Sequence, residues 1–484
     1  MSIPPPPIRP RPRPRPKAPP RAPARRMPWG WLEVFAVSLT VLPAMLFLPG
    51  VSAVRPILRI ASYLMGPFVW FMYSRNRNAE LPGSPFTAAS WLLFCVGWLV
   101  LSVAHPNAYS LITAVGQVAL YVAVLSPAFW AGRLVDTPAR IGRLIAILFL
   151  CNALSALVGV AQVHYPGRFD PPVIPALNNK FGGEDLKYET ADGRRILRPC
   201  GLTDTPGGAS SAGSAAAILG LCFALRPIGA FKRSACMGLA FIGLAAVYYS
   251  HVRSVLLMAV GCLGVLFIVL SMQRRYREAS LLATGGFAVV VGGMLWAMRT
   301  VGTGVLKRFT VMFEGGDFVS YFNKMRGNYI HDALTRTLWE NPLGYGMGWW
   351  GQIHGLFADP NRLSFVWVEV MVAAWVYDGG FPLLIGYGGA MLLALYDSGR
   401  VALTSRNPDL AFWAAVVLSL NVSIAMTSLS YVTFLAPQGM TFWLLAGAIN
   451  GADRRANASE LARRPARGFG FGGGRPRPRG AVAG

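Results

Sequence analysis

Long apolar segments recur along the chain and constrain its fold more than any other feature. The 484 residues are 54% hydrophobic and 14% charged, whereas soluble domains carry about 25% charged residues. A helix needs about 20 apolar residues to cross a bilayer core of ~30 Å, and runs of that length occur throughout the sequence. The sequence therefore predicts an all-α polytopic membrane protein. It excludes a soluble enzyme, a fibrous protein and a small disulfide scaffold.

Twelve membrane spans are predicted from these apolar runs. They form three groups, residues 29–163, 208–298 and 380–451, separated by two polar segments, 164–207 and 299–379. The spans themselves lie at about residues 32–49, 54–73, 86–104, 108–131, 141–163, 208–226, 234–251, 252–271, 279–298, 380–397, 411–431 and 434–451. The two polar segments are therefore predicted to be large loops outside the bilayer.

Both ends of the chain are rich in Arg and Pro, and both are predicted to be disordered. Residues 1–28 carry eight basic and no acidic side chains, and residues 452–484 carry a net charge of +6. Together the tails supply 14 of the formal net charge of +24. Basic segments that flank membrane spans favour the cytoplasmic side and attract anionic lipids. The charge therefore indicates membrane lipids, and not nucleic acid, as a partner.

The short loops agree with two cytoplasmic tails. The loops then predicted to be cytoplasmic are 74–85, 132–140, 227–233, 272–278 and 398–410, and each contains at least two basic residues. This orientation requires that the apolar stretch 361–378 does not cross the bilayer. The stretch contains Glu369 and ends in an Asp-Gly-Gly turn, which favours a re-entrant or interfacial helix.

The two large loops then face the opposite, non-cytoplasmic side of the membrane. Both 164–207 and 299–379 are rich in Gly, Pro, aromatic and charged residues. A transporter has little need of such loops, whereas an enzyme that acts on lipid-bound substrates needs a polar site at the membrane surface. The loops therefore favour an enzyme.

Arg198 opens the first of three segments that could carry chemistry. The segment, RPCGLTDTPGG over residues 198–208, leads into a helix start rich in small residues. A Gly-rich turn at a helix start can bind an anion through backbone N–H groups. Alternatively, the small residues simply let helix 208–226 pack closely against its neighbours.

Arg253 lies in the second segment, SHVRS over residues 250–254, between two apolar runs. An Arg at a span boundary is costly unless it is paired or functional, and this one is predicted to bind phosphate. The alternative is an Arg whose side chain extends to the membrane surface without further function.

Arg326 begins the third segment. Residues 326–339 are predicted to form a helix that ends at Asn341-Pro342, because the residue before Pro avoids the helical conformation. The sequence ENPLGYGMG follows, in which Gly344, Gly346 and Gly348 permit close approach of a ligand. Alternatively, this is a surface helix with a flexible connector.

Acidic and imidazole side chains near these segments are candidates for a general base. They are His331, His354, Asp359, Glu369 and Asp378. A lone His is more often a structural residue, which is the alternative for His331 and His354. The five histidines show no metal-ligand spacing, so no metal or other cofactor is predicted.

Taken in order over residues 195–382, the three segments resemble the O-antigen ligase and polymerase superfamily. RPCGLTDTPGG resembles the family's Arg-x-x-Gly-x-x-x-x-Pro element, and SHVRS its Ser-x-Ser-Arg-Ser/Gly element. The third match is Arg326, a helix, ENPLGYGMG and an apolar segment that ends in an acidic-Gly turn. The twelve predicted spans also fit this family.

The resemblance implies a GT-C-like membrane glycosyltransferase whose donor is an undecaprenyl-diphosphate-linked oligosaccharide. It implies that Arg198, Arg253 and Arg326 hold the diphosphate, with no metal required. Arg253 and Arg326 are then catalytic together with Glu369, which orients or deprotonates the acceptor hydroxyl. An acceptor glycan or lipid A-core would be the second substrate, and a chain-length regulator would be a further partner.

The position of Glu369 distinguishes two branches of the family. Many ligases carry a His-Asn pair there, whereas this chain has Glu369-Val370, which is more similar to polymerases. We therefore expect a polymerase of exopolysaccharide or O-antigen repeat units. A ligase that transfers finished glycan to lipid A-core is the nearest alternative, and a polysaccharide or lipid transporter is the alternative of another class.

Overall fold

A computed structural model describes residues 29–48, 50–74, 86–135, 137–171, 187–189, 193, 195–306, 310, 322–357, 366 and 368–463. About 79% of these residues are helical. The predicted disordered tail 1–28 and most of 452–484 lie outside the described residues, as do parts of the large loops.

Most helices in the described part of the chain are joined by short connections, except at the two large loops. The helices are α1 Trp31–Ala44, α2 Arg55–Ser74, α3 Thr87–Ser102, α4 Leu111–Leu125, α5 Pro127–Leu134, α6 Pro138–His164, α7 Ala209–Ala224, α8 Ala230–Tyr249, α9 Arg253–Met272 and α10 Tyr276–Val301. Helix α11 covers residues 323–340 and alternates π-helical turns (Asn323–Gly327, Ala333–Thr337) with α-helical ones (Asn328–Asp332, Leu338–Glu340). The last four are α12 Gly351–Phe357, α13 Met371–Thr404, α14 Pro408–Thr427 and α15 Pro437–Arg463.

Seven helices in the described part of the chain are long and apolar enough to span a membrane. They are Leu111–Leu134, Pro138–His164, Ala230–Tyr249, Arg253–Met272, Tyr276–Val301, Met371–Thr404 and Pro408–Thr427. Four shorter apolar helices are Trp31–Phe47, Ile57–Met72, Thr87–Ser102 and Ala209–Ala224. These helices, together with almost no sheet in the described residues, confirm the prediction of an all-α multi-pass membrane protein.

The helices pack through small residues. In a bilayer the hydrophobic effect does not drive helices together, so they associate through close van der Waals packing, which small residues permit. In the α3–α13 pair, Trp91 and Cys95 pack against Gly389 and Gly386, where an added Cβ would lie 2.9 and 2.8 Å from the facing side chain. The Trp98 indole N–H, one turn further along α3, donates to the Gly379 carbonyl at 2.8 Å. The two helices are therefore antiparallel and in close contact.

One end of the bundle carries a layer of Arg contacts between the predicted cytoplasmic loops. The contacts are Arg140–Glu33 at 3.0 Å, Arg226–Asp409 at 2.6 Å, Arg275 to the Pro408 carbonyl at 2.6 Å, Arg455 to the Arg133 carbonyl at 2.7 Å and Arg400–Asp453 at 3.4 Å. The structure therefore brings loops 132–140, 272–278 and 398–410 together at one end of the bundle.

The opposite end holds the described parts of the two large loops. A short antiparallel hairpin, β1 Lys187–Glu189 and β2 Arg195–Leu197, belongs to the first loop. Its Tyr188 ring lies 4.2 Å from the His251 ring, centroid to centroid, in the connection between α8 and α9. The hairpin therefore contacts the SHVRS segment at His251.

Helix α13 differs from its predicted bounds. The span was predicted at 380–397, whereas the helix runs from Met371 to Thr404 and breaks at Gly380, where φ is 61° and ψ is −147°. Residues 371–378 of the predicted re-entrant segment therefore form the first two turns of α13, and Met371, Ala374 and Trp375 in these turns are buried. Asp359, residues 361–365 and residue 367 lie outside the described residues.

Candidate functional site

Arg326 and Glu369 form an ion pair at the end of the bundle that carries the large loops. Arg326 lies in the first π-helical turn of α11, and Glu369 lies in the extended segment just before α13. The two side chains are 35% and 21% exposed. The structure therefore brings together two residues that the sequence places 43 positions apart, and both remain accessible from outside.

Apolar packing fixes the backbone on both sides of this pair. Ala333 and Leu338 of α11 are buried against Val370, Ala373 and Val376 at the start of α13. The sequence predicts α11 through its end at Asn341-Pro342, and the helix does end at Glu340. Glu369 is therefore held against the helix that carries Arg326.

A second contact ties the Glu369 segment to the bundle. The Met371 N–H donates to the Ser428 carbonyl at the end of α14 with an N···O distance of 2.9 Å. This hydrogen bond fixes the backbone two residues after Glu369 and serves as an anchor for its segment.

Arg253 begins α9 and lies at the same level as this anchor. Ser423 of α14 donates its hydroxyl to the Met258 carbonyl of α9 at 3.1 Å. At the other end of α9, Gln273 donates to the Ala411 carbonyl of α14, so the two helices are antiparallel. Arg253, five residues before Met258, and Ser428, five residues after Ser423, therefore lie towards the same end. At a rise of ~1.5 Å per residue the two are level on adjacent helices. Arg253 therefore lies at the same depth as the Glu369 anchor.

Arg198 belongs to a loop that is held against α6 and α9. The Arg198 carbonyl accepts from the Gly207 N–H at 3.4 Å, and a Cβ on Gly207 would lie 3.3 Å from the Val252 side chain, next to Arg253. The loop backbone therefore joins Arg198 to the start of α9.

Gln162, near the end of α6, clamps the same loop. Its side-chain oxygen accepts from the N–H groups of Cys200 and Gly201 at 2.8 and 2.9 Å, and its nitrogen donates to the Gly201 carbonyl at 3.1 Å. Ser155, two turns earlier, accepts from the Leu202 N–H at 3.0 Å. These contacts are supplied by polar residues inside a predicted span, a signal that sequence reasoning missed.

Cys200 is buried in this loop. Burial, together with the nearby Asp170 and Asp204 carboxylates, raises the pKa of its thiol to about 12. The thiol is therefore protonated at neutral pH and is not a nucleophile.

Two further arginines contact the same loop. Arg55 and Arg59, one turn apart at the start of α2, both bind the Asp204 carboxylate, with shortest N···O distances of 2.7 Å. From the sequence, Arg59 is a charge inside a short span with no visible partner. Its partner is 145 residues away, which no local pattern indicates.

The glycine turn after α11 serves close backbone packing. An added Cβ on Gly344 would lie 2.9 Å from the Gly379 nitrogen, and one on Gly346 would lie 2.5 Å from the Asn107 carbonyl oxygen. Tyr345 and Gly346 donate their N–H groups to the Tyr377 carbonyl. The glycines therefore let the turn lie against the break in α13.

Asp378 lies beneath this turn and is 1% exposed. Its carboxylate accepts from the Trp350 indole at 2.9 Å, the Gln117 amide at 3.1 Å and the Tyr121 hydroxyl at 2.9 Å. Three neutral donors from α4 and from the segment before α12 converge on one buried group. This arrangement connects α4, the glycine turn and α13.

The two candidate histidines lie in different surroundings. His354 is buried, and its Nδ1 is 2.8 Å from the Gly348 carbonyl oxygen of the glycine turn. His331 is exposed on α11, five residues after Arg326. Within the described segments, no group of three His, Cys, Asp or Glu side chains is placed to hold a metal ion.

Comparison of the sequence with models of known protein families finds no match, and comparison with curated protein sequences finds none either. The candidate site is therefore defined by its geometry alone. It consists of the Arg326–Glu369 pair, Arg253 at the start of α9 and the loop that carries Arg198, all at one end of the helical bundle. Such a site can bind a negatively charged group beside a carboxylate that accepts a proton.

Proposed function

We propose that the chain is a membrane glycosyltransferase that polymerises lipid-linked repeat units of a surface polysaccharide. The observation that carries this proposal is the partly exposed Arg326–Glu369 pair at the end of the bundle that also holds Arg253 and Arg198. Glycosyl transfer from a lipid diphosphate needs cations for the leaving group and an acceptor for the incoming hydroxyl proton. The pair places one of each side by side.

The proposed topology has twelve crossings in a GT-C-like bundle with both termini in the cytoplasm of a bacterium. Its support is the division of polar contacts between two ends, with Arg226–Asp409 at one and Arg326–Glu369 at the other. The basic loops favour the cytoplasm for the first end. The candidate site then faces the periplasm at the surface of the inner membrane, where lipid-linked glycans would reach it from the bilayer.

The proposed reaction is a single in-line displacement. The acceptor hydroxyl oxygen forms a bond to the anomeric carbon of the undecaprenyl-diphosphate-linked oligosaccharide, and the bond from that carbon to the phosphate oxygen breaks. The electron pair leaves with the diphosphate, whose charge Arg198, Arg253 and Arg326 stabilise through bidentate hydrogen bonds. The hydroxyl proton passes to the Glu369 carboxylate. Inversion at the anomeric carbon follows, and no cofactor takes part.

Donor binding would change the Arg326–Glu369 contact. A diphosphate carries more negative charge than a carboxylate and matches the guanidinium fork, so it competes with Glu369 for Arg326. Each guanidinium that turns to the diphosphate leaves the Glu369 carboxylate more basic, because a neighbouring cation favours the ionised form of an acid. Donor binding would thereby prepare the base for the acceptor.

The experiment compares glycans from a deletion strain complemented with wild type, Arg326→Ala or Glu369→Gln. Arg336→Ala is the matched control, because Arg336 lies on the same helix, pairs with Glu340 and is 76% exposed. We expect both site variants to lose long polymer and to accumulate single lipid-linked repeat units at unchanged protein abundance. The control should make polymer of normal length.

Other outcomes would replace the proposal. Long chains that remain on undecaprenyl diphosphate, with bare lipid A-core, would identify a ligase. Unchanged glycans in the deletion strain would contradict both transferase functions and favour a transporter. Normal polymer from well-expressed Arg326→Ala and Glu369→Gln proteins would remove these residues from the mechanism.

A further inference from the structure

Arg55, Arg59 and Asp204 form an ion cluster that the proposed reaction does not use. The Nε and Nη2 atoms of both arginines lie 2.7–2.9 Å from a single Asp204 oxygen, Oδ2. Two cations therefore share one carboxylate, and the cluster carries a net charge of +1. One arginine alone would be enough to neutralise Asp204.

The hydrogen-bonding capacity of the cluster is also in excess. Each guanidinium has five N–H donors, and the contacts with Asp204 use the Nε–Nη2 edge of each. The Nη1 edges point away from the carboxylate. Donors arranged in a planar fork match the oxygens of a phosphate group.

The cluster faces the inside of the bundle and is nevertheless accessible. Ile57, Leu64 and Phe68 mark the exposed face of α2, at 66%, 58% and 45% exposure. At 3.6 residues per turn, Arg55 and Arg59 lie on the opposite face of the helix, yet the Arg59 side chain is 44% exposed. Arg59 therefore remains accessible to a ligand although it lies on the inner face of α2.

The acidic partner is held rigidly in place. Asp204 has a side-chain exposure of 7% and lies in the loop that Gln162 and Ser155 fix through its backbone. It orients both guanidinium groups before any ligand arrives, which lowers the entropy lost on binding.

We propose that Arg55 and Arg59 form a binding site for the phosphate group of a membrane lipid, with Asp204 as the positioning residue. Guanidinium groups at the end of a membrane helix are at the depth of lipid head groups and match the geometry of a phosphate. The phosphate belongs either to a glycerophospholipid head group or to a polyprenyl-linked diphosphate, since both present the same oxygens at the membrane surface. The site is distinct from the Arg326–Glu369 pair, and it requires no glycosyl transfer.

The test is native mass spectrometry of the purified full-length protein with phosphatidylglycerol. Wild type, Arg55→Gln and Arg59→Gln are compared with Arg168→Gln, a control for an exposed Arg in the large-loop region. Arg59→Gln leaves Asp204 paired with Arg55, so its fold should persist, and thermal unfolding of each variant checks this. We expect the affinity of Arg59→Gln for the lipid to fall by at least about tenfold, because hydrogen bonds between charged groups are lost.

Competition distinguishes the two sources of the phosphate. Displacement of phosphatidylglycerol by an equal concentration of farnesyl diphosphate would assign the site to polyprenyl diphosphates, and failure of that displacement would assign it to lipid head groups. Wild-type lipid retention in folded Arg55→Gln and Arg59→Gln proteins would overturn the proposal. Equal loss in Arg168→Gln would also overturn it, because it would show a non-specific effect of surface charge.

Discussion

Asp378 offers the sharpest test of how the candidate site is supported. Its buried carboxylate accepts hydrogen bonds from Trp350, Gln117 and Tyr121. Asp378→Ala removes the acceptor of all three and leaves three buried donors without it. An unsatisfied buried donor costs about 1–3 kcal/mol, so the free energy of unfolding should fall by about 3–6 kcal/mol, even after partial relaxation. Typical total stabilities are about 5–15 kcal/mol.

Asp378→Asn should be milder. Oδ1 accepts from Trp350, whereas Oδ2 accepts from Gln117 and Tyr121. The Asn carbonyl can replace one carboxylate oxygen, but its NH₂ group cannot accept a hydrogen bond. If the carbonyl faces Gln117 and Tyr121, only the Trp350 donor is lost, at a cost of about 1–3 kcal/mol.

The assay is thermal unfolding of the purified protein in detergent, followed by polymer length in the complemented strain. We expect the apparent unfolding temperature to fall from wild type to Asp378→Asn and further to Asp378→Ala. Glu340→Ala, which removes an exposed carboxylate that is 58% accessible, should change the stability by less than ~1 kcal/mol. Equal stability of Asp378→Ala and Glu340→Ala would refute the reasoning. A stable Asp378→Asn protein without activity would give Asp378 a chemical role.

Three further predictions follow from packing and burial. Gly380→Ala should reduce the yield of folded protein in membranes, because φ is 61° there and the new Cβ would overlap the Pro342 carbonyl oxygen. Gly388→Ala on the same helix is the control, because its new Cβ would have no atom within 4 Å, and equal yields of the two variants would contradict the prediction. Cys200 should resist alkylation by iodoacetamide at pH 8 in the folded protein and react after denaturation, since its thiol pKa is about 12 and the thiolate is the reactive form; rapid labelling of the folded protein would contradict this. Gln162→Leu should lower the thermal unfolding temperature because two buried backbone N–H groups lose their acceptor, and an unchanged temperature would show that the loop does not depend on it.

The helical bundle could be predicted because its signal is local. Each apolar run is long enough to cross a bilayer, where no water is present to bind the backbone. The backbone N–H and C=O groups must therefore bond to each other, and a helix achieves this within the segment. The bounds of α13 were less predictable. The Asp-Gly-Gly turn indicated an end, but Gly380 instead breaks a helix that continues on both sides, since the residues before it are buried against α11 and α14.

The candidate site could be predicted only in part. Arg326 and Glu369 were both named from sequence patterns, and their contact adds a spatial relation that the patterns do not contain. The Arg59–Asp204 pair was not predictable, because it joins a helix start to a loop 145 residues later. The glycine turn was predicted to allow close approach of a ligand, and in the structure the close approach is made by the backbone of residues 107 and 379.

The central proposal is tested most directly with the purified protein and lipid-linked oligosaccharides extracted from the deletion strain. Products are separated by chain length, and released undecaprenyl diphosphate is quantified. We predict that wild type converts single repeat units into longer lipid-linked chains, with one undecaprenyl diphosphate released per bond formed, and that Glu369→Gln does so far more slowly. A folded wild-type protein that leaves the lipid-linked repeat units unchanged would contradict the account.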